Sequence, residues 1–183
     1  MAFRPAIPIL PFLLAAACAA PAAPIDRLWA DLEAEAGRSK PLADPDAARD
    51  AAIAARAERA RSIADAGDLR TGRDHFRAAV VLVESNSPAD WDLAANLGRK
   101  ASEMGEPLGL RVAAEAIDKD LVHQGRPQRF GTQFVWDARN QKWRLYPMDP
   151  ATTDTERAAM GVPTYAELIQ AEVVTNARAG RKP

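Results

Sequence analysis

Two hydrophobic periods divide this chain. From Ile25 to Gln124 apolar residues recur every three or four positions, the repeat of helices with one buried face. Ile25, Leu28, Trp29 and Leu32 make the first stripe, which ends near Gly37. Asp46 to Ala66 is Ala-rich and charged, with Ile53, Ala57, Ala60, Ile63 and Ala64 on one side. Thr71-Gly72-Arg73-Asp74 has the form of a capping box and opens a helix that carries Phe76, Ala79, Val80 and Val83 inward. Ser87-Pro88-Ala89-Asp90 is a second start signal, with Ser as cap, Pro in the first turn and Asp at the third place. The helix after it has a small-residue side at Ala94, Ala95, Gly98 and Ala101, and an apolar side at Leu93, Leu97 and Met104. Beyond Gly105-Glu106-Pro107, Leu110, Ala113, Ala114, Ile117 and Leu121 face inward on the last long helix.

The period changes after Gly125. Gly125 stands where a left-handed helix cap is expected, and Pro127 keeps the helix from resuming. Phe130, Thr132, Phe134 and Trp136 then alternate with Gly131, Gln133 and Val135, the period of a strand. Asp137 to Lys142 is turn-prone, and Trp143-Arg144-Leu145-Tyr146 alternates again before Pro147. The pattern predicts a hairpin over 130–146 that packs one face on the helices. Thr153 to Glu156 caps a short helix ending at Gly161. Thr164 starts another, with Tyr165, Leu168, Ile169 and Val173 inward.

The expected fold is therefore mainly α: stacked antiparallel helix pairs, one C-terminal β-hairpin and short terminal helices. A weak repeat supports the stacking. Ala64-x-x-Gly67-Asp68 and Ser102-x-x-Gly105-Glu106 align at an offset of 38, near the length of degenerate tetratricopeptide-like units. The chain divides into a leader and tether over 1–23, an N-terminal helix and linker over 24–45, the helical domain over 46–178 and a frayed tail over 179–183.

The front end changes the picture. Arg4, an apolar run from Ile7 to Ala17 and small residues after it read as an export signal. The run is too short, and too rich in proline, for a comfortable membrane span. The single cysteine, Cys18, follows Leu13-Leu14-Ala15-Ala16-Ala17, the pattern of a bacterial lipoprotein cleavage site. Lipidation of Cys18 implies a periplasmic protein anchored to the outer membrane; ordinary signal cleavage next to Cys18 is the alternative. No disulfide is available, so the core must hold the fold alone. The net charge of −1 and interspersed charges give no case for nucleic acid.

Candidate chemistry gathers at the change of period. Asp118, Gln128, Arg129 and Gln133 form a candidate polar site, with His75 as a further possible acid or base. Gln128 and Gln133 are expected to staple the loop, and Asp118 to pair with Arg126 or Arg129. Phosphate loops, dinucleotide glycine patterns and catalytic elbows are absent, and no nucleophile has a paired base. No catalytic residue, cofactor or metal is assigned. The two histidines, on the order of 15 Å apart along the stack, would not share a metal.

Gly125-x-Pro127-Gln128-x-Phe130-Gly131-Thr132-Gln133 resembles the signature of an uncharacterised, mostly bacterial helical family. The resemblance runs over about 60–170 and includes Asp74, Ser87 to Asp90, Pro147, Asp149, Thr153-Asp154 and Gly161-Val162-Pro163. It implies a helical fold and no activity. Ile117-Asp118-Lys119 stands where the relatives tend to have Leu-Asp-Arg, and Val83-Glu84-Ser85 where they have Gln-His-Gly. A function that needed that histidine does not carry over. The resulting expectation is a binding module for a protein or a small polar ligand, with an enzyme at the helix–hairpin junction as the rival.

Overall fold

The computed structural model describes residues 23–36 and 47–179. The leader with Cys18, most of the linker and the end of the tail lie outside the described residues. Among the described residues there are seven helices and one hairpin: α1 (Pro24–Ala36), α2 (Ala47–Asp65), α3 (Gly72–Val83), α4 (Pro88–Glu103), α5 (Gly109–His123), β1 (Phe134–Asp137), β2 (Lys142–Leu145), α6 (Asp154–Ala159) and α7 (Tyr165–Ala179). The expected mainly helical stack with one hairpin is the observed architecture.

Helix α3 is central, touching α1, α2, α4 and α5. That is why its buried residues, Ala78, Ala79, Val81, Leu82 and Val83, extend beyond one narrow stripe. Ile25 and Leu28 of α1 are fully buried in the same core as Trp91, Ala94 and Val112, so α1 is integral to the stack. The capping box at Thr71 forms as expected: its hydroxyl oxygen accepts from Asp74 N–H at 3.1 Å, and Asp74 accepts from Thr71 N–H at 2.8 Å. Ser87 is the N-cap of α4 and Pro88 follows it, but the Ser87 side chain makes no capping bond. Asp90 turns away from the cap to Arg61 of α2.

At the 38-residue offset the main chain shows one shared helix ending, which α5 and α6 also use through Arg126 N–H on Leu121 O at 2.8 Å and Val162 N–H on Arg157 O at 3.1 Å, so it does not mark a repeat. Asp68 N–H donates to Ile63 O at 3.1 Å, and Glu106 N–H to Ala101 O at 2.9 Å, the same closure 38 residues on. The helix starts differ. Asp74 caps α3, whereas its counterpart on α5 is Val112, and α5 has no side-chain cap.

Helices α4 and α5 make the most extensive contact. The cause is a pair of glycines. A Cβ on Gly98 would lie 2.6 Å from Gly109 O, and one on Gly109 would lie 2.4 Å from Gly98 O. Ala113 lies against Gly98 and Ala116 is buried in the same core, while Leu110 and Leu121 are only half-buried. Met104, expected inward, is exposed.

The strand pattern starts later than its alternation suggests. Pairing begins at Phe134 with Leu145 and ends at Asp137 with Lys142. Residues 130–133 instead wrap the end of α5, for a reason given below. The hairpin is backed by α7 rather than by the α1–α5 stack. Asn176 accepts from Trp143 N–H at 2.8 Å and donates to Trp143 O at 2.8 Å, and Glu172 accepts from Leu145 N–H at 2.7 Å. This docking turns Leu168 inward and leaves Tyr165, Ile169 and Val173 exposed, contrary to the inward stripe expected from spacing.

Gly98→Ala tests the close approach. In an ordinary helix the change stabilises by about 1 kcal/mol. Here the added methyl meets backbone, so a net loss of about 1–3 kcal/mol is expected in denaturant unfolding.

Candidate functional site

Asp118 and Gln128 organise the junction between α5 and the hairpin. Leu121 O accepts from Arg126 N–H at 2.8 Å and Val122 O from Gly125 N–H at 2.9 Å, which closes α5 with Gly125 at φ 70°. The chain then doubles back past Asp118, one helical turn earlier. One oxygen of this carboxylate accepts from Arg129 N–H at 2.7 Å and Phe130 N–H at 3.0 Å. The other accepts from Thr132 N–H at 3.1 Å and from the Thr132 hydroxyl at 2.9 Å. These donors are the reason that 130–133 does not join the strand. Asp118 is fully buried.

Gln128 is also fully buried, and it staples the next layer. Its amide nitrogen donates to Gln133 O and to Tyr146 O, both at 2.9 Å, and its carbonyl accepts from Gln133 N–H at 2.8 Å. Its main chain bonds on both sides, to Pro147 O at 3.0 Å and from Asp149 N–H at 2.7 Å. Phe130, held between these anchors, plugs a small apolar cluster with Ala114 and Val162.

The expected partners are rearranged. Arg129 and Arg126 do not pair with Asp118. The Arg129 guanidinium lies 3.3 Å from Glu156, and Arg126 donates to Gln124. An ion pair is displaced because main-chain N–H groups reach the buried carboxylate first, and an exposed guanidinium gains little by following. The Gln133 side chain, half-buried, donates to Thr132 Oγ1 at 3.0 Å; the staple acts on Gln133 through its main chain. His75 is not part of this junction. Its Nδ1 is 2.8 Å from Thr71 O in the first turn of α3. Asp118, Gln128 and Gln133 are thus brought together as a folding device, and Asp118 keeps no oxygen free of a donor for a substrate.

Two other polar groupings lie at the α3–α4 corner, and sequence reasoning missed both. A cleft of about 280 Å³ opens between α2 and the corner. Ile53, Ala54 and Ala57 form its apolar wall, and Arg61, Ser85, Asn86, Ser87 and Asp90 its polar side. Arg61 pairs with both Asp90 and Glu58. Hydrogen bonds to those two carboxylates raise the Arg61 pKa above its ordinary value. Asp50 lines the mouth and has no ion-pair partner among the described residues. A position of opposite charge 29 residues away from Arg61 offers no sequence signal.

On the other side of the corner, Lys119 donates to Val83 O at 2.5 Å and lies 5.7 Å from the Trp91 ring. Burial pushes its ammonium pKa down, against Glu84 and Glu115. Burial also pushes the Glu115 carboxyl up, aided by Glu84 and Asp118 and opposed by Lys119 and Arg111. Among the described residues, no group of three or more His, Cys, Asp and Glu side chains could hold a metal ion.

Two expectations follow. Asp118→Asn replaces an acceptor by a donor facing N–H groups and should cost about 3 kcal/mol, and Gln128→Ala about 2 kcal/mol, by chemical denaturation. Gln133→Ala should stay within about 0.5 kcal/mol. Glu115 carries a pH signature. Its raised pKa means the folded chain holds this proton at higher pH than the unfolded chain does. Its contribution is full below the unfolded value and is lost as pH rises through the folded one. Glu115→Gln should therefore raise the melting temperature at pH 7, with the gain fading toward pH 4.

Against known proteins, no family model, no curated protein and no solved structure matches this chain, so its function rests on the geometry above.

Proposed function

We propose that this protein is an exported, lipid-anchored binding module of the cell envelope, and that it holds a small polar ligand or a peptide end in the cleft between α2 and the α3–α4 corner. The observation that carries this reading is the contrast between two polar places. At the junction, the carboxylate and amide are consumed by the fold. At the cleft, an apolar wall faces hydroxyls, an amide and carboxylates around open space. Such a mixture of one apolar wall and a few polar groups is typical of ligand pockets.

The charge of the cleft selects the ligand class. Asp50 and Asp90 stand against one guanidinium, Arg61, which Glu58 also engages. The net field is negative, so a ligand with an ammonium group fits better than an anion. Anchoring rests on Cys18 and the small residues before it. Among the described residues, no helix is long and apolar enough to cross a membrane, which is compatible with attachment through a lipid. We also place the chain, on the same footing, in the uncharacterised helical family that its signature resembles. The motif then marks a way of folding: Gln128 staples, Phe130 plugs and Thr132 binds Asp118.

The test is a titration of the labelled protein with a short peptide carrying a free N-terminus, and with its N-acetylated form, read by amide chemical shifts. Shifts at Ser85 to Asp90 for the free amine only are expected, with affinity falling about tenfold in Asp50→Asn, the worth of one charge-assisted contact. Shifts confined to 128–133, or equal binding of the acetylated peptide, would overturn the reading. Mass spectrometry of the protein made in a bacterial host checks the anchor: a diacylglyceryl adduct on Cys18 is expected, and an unmodified Cys18 rules it out.

A further inference from the structure

The two edges of the hairpin are treated differently by the fold. Tyr146 N–H donates to Gln133 O at 3.0 Å, so positions 133 and 146 face each other as a hydrogen-bonding pair, with the return bond replaced by the Gln128 amide, which accepts from Gln133 N–H and donates to Tyr146 O. In an antiparallel pair the bonded positions alternate. With the observed register, 135 and 144 bond next, while Phe134 with Leu145, and Trp136 with Trp143, point their main-chain groups outward. The outward groups of β2 confirm this, because Trp143 N–H, Trp143 O and Leu145 N–H are taken by Asn176 and Glu172. The fold thus seals the β2 edge with side chains of α7. On β1 no partner among the described residues beyond the hairpin serves the main-chain groups of Phe134 and Trp136.

That free edge is protected only by its length of four residues and by Asp137 at its end. Edge strands are commonly blunted by charge, proline or a bulge. Within β1, Phe134, Val135 and Trp136 carry no charge and no proline, and the one charged residue, Asp137, stands at its end. Two of its side chains are also exposed, Val135 at 39% and Trp136 at 49%. Trp136 rests edge-on against Trp143, with ring centroids 5.6 Å apart, so it is held in place rather than loose.

We propose that β1 is a self-association edge: two copies of this chain pair β1 with β1 in antiparallel fashion about a two-fold axis at Val135. The register follows from which groups are free. Phe134 and Trp136 are the outward positions, so Phe134 must bond opposite Trp136 of the partner subunit. That arrangement uses the free groups of both positions in about four main-chain hydrogen bonds. Centring the axis on Trp136 would use only about half of them. The chosen register sets Val135 against its own copy at the closely spaced position, where side chains touch best. It sets Asp137 opposite Gln133 of the partner subunit, so no like charges oppose across the axis. The occupant is a second copy because the strand is complementary to itself: Val meets Val, and each Phe meets a Trp. A two-fold interface of this kind is closed, which limits growth to a dimer. The proposal is independent of the ligand cleft, which lies at the α3–α4 corner.

The experiment uses the full chain and three proteins. Sedimentation of the unaltered protein should show its mass doubling as concentration rises through the micromolar range. Val135→Lys should remain monomeric with an unchanged melting temperature, since Val135 is exposed in the protomer. Val135→Cys should give, on mild oxidation, a disulfide between the introduced thiols of two chains, identified by peptide mapping and so distinguished from any link through Cys18. A chain that is monomeric throughout, or a dimer that survives Val135→Lys without a link at 135, overturns the proposal. So does a monomer that instead takes up an unrelated extended peptide along β1.

Discussion

The carboxylate of Asp118 collects the main-chain N–H groups of Arg129, Phe130 and Thr132, together with the Thr132 hydroxyl, at the closed end of α5. Main-chain groups at a sharp reversal have no helix or sheet to serve them, and leaving them buried without partners would cost about 1–3 kcal/mol each. One side chain on the preceding helix supplies those partners and does so through two oxygens. The reversal can then be buried. Everything C-terminal to it depends on this, because the direction in which the chain leaves α5 fixes where Phe130 enters the core and where the hairpin begins. Gln128 repeats the device one layer outward, tying Gln133 and Tyr146 together and closing the base of the hairpin.

Small residues set the rest of the geometry. Gly98 and Gly109 let α4 and α5 approach until backbone meets backbone, and alanines extend that contact along both helices. Close packing of small side chains buries little apolar area per residue, but it gives dense dispersion contact and a rigid stack. The larger side chains, Ile25, Leu28, Leu82 and Trp91, fill the space left around α3. A polar corner follows α3 directly. There Trp91 Nε1 donates to Ser85 O at 2.8 Å, and Lys119 reaches Val83 O, so the turn is held from both sides while Asn86 stays exposed beside the cleft.

The polar groups of this protein therefore divide by use. Those with several main-chain partners, Asp118 and Gln128, serve the fold. Those facing open space, Asp50, Asn86 and Ser87, are available to another molecule. The hairpin shows the same division within one element, since β2 is sealed by α7 and β1 is not.

Taken alone, the sequence determined the number and order of the elements. The apolar spacing, the Thr71 and Thr153 capping boxes and the left-handed closure at Gly125 are local signals, and local hydrogen bonds answered each of them. It also marked Asp118, Gln128 and Gln133 as a group, because polar residues beside a change of period need a purpose. What it could not assign was the partner of each. A carboxylate among arginines reads as an ion pair, yet main-chain N–H groups took Asp118, since burial rewards donors that are already in place. Asp90 reads as a cap and became the partner of Arg61. The alternation from Phe130 reads as strand, yet Asp118 takes the N–H groups of Phe130 and Thr132 and Gln128 takes that of Gln133. The α7 stripe reads as core, yet Glu172 and Asn176 turned a neighbouring face to the hairpin. Each of these choices is a competition between partners far apart in the chain, and only the packed structure brings the competitors together.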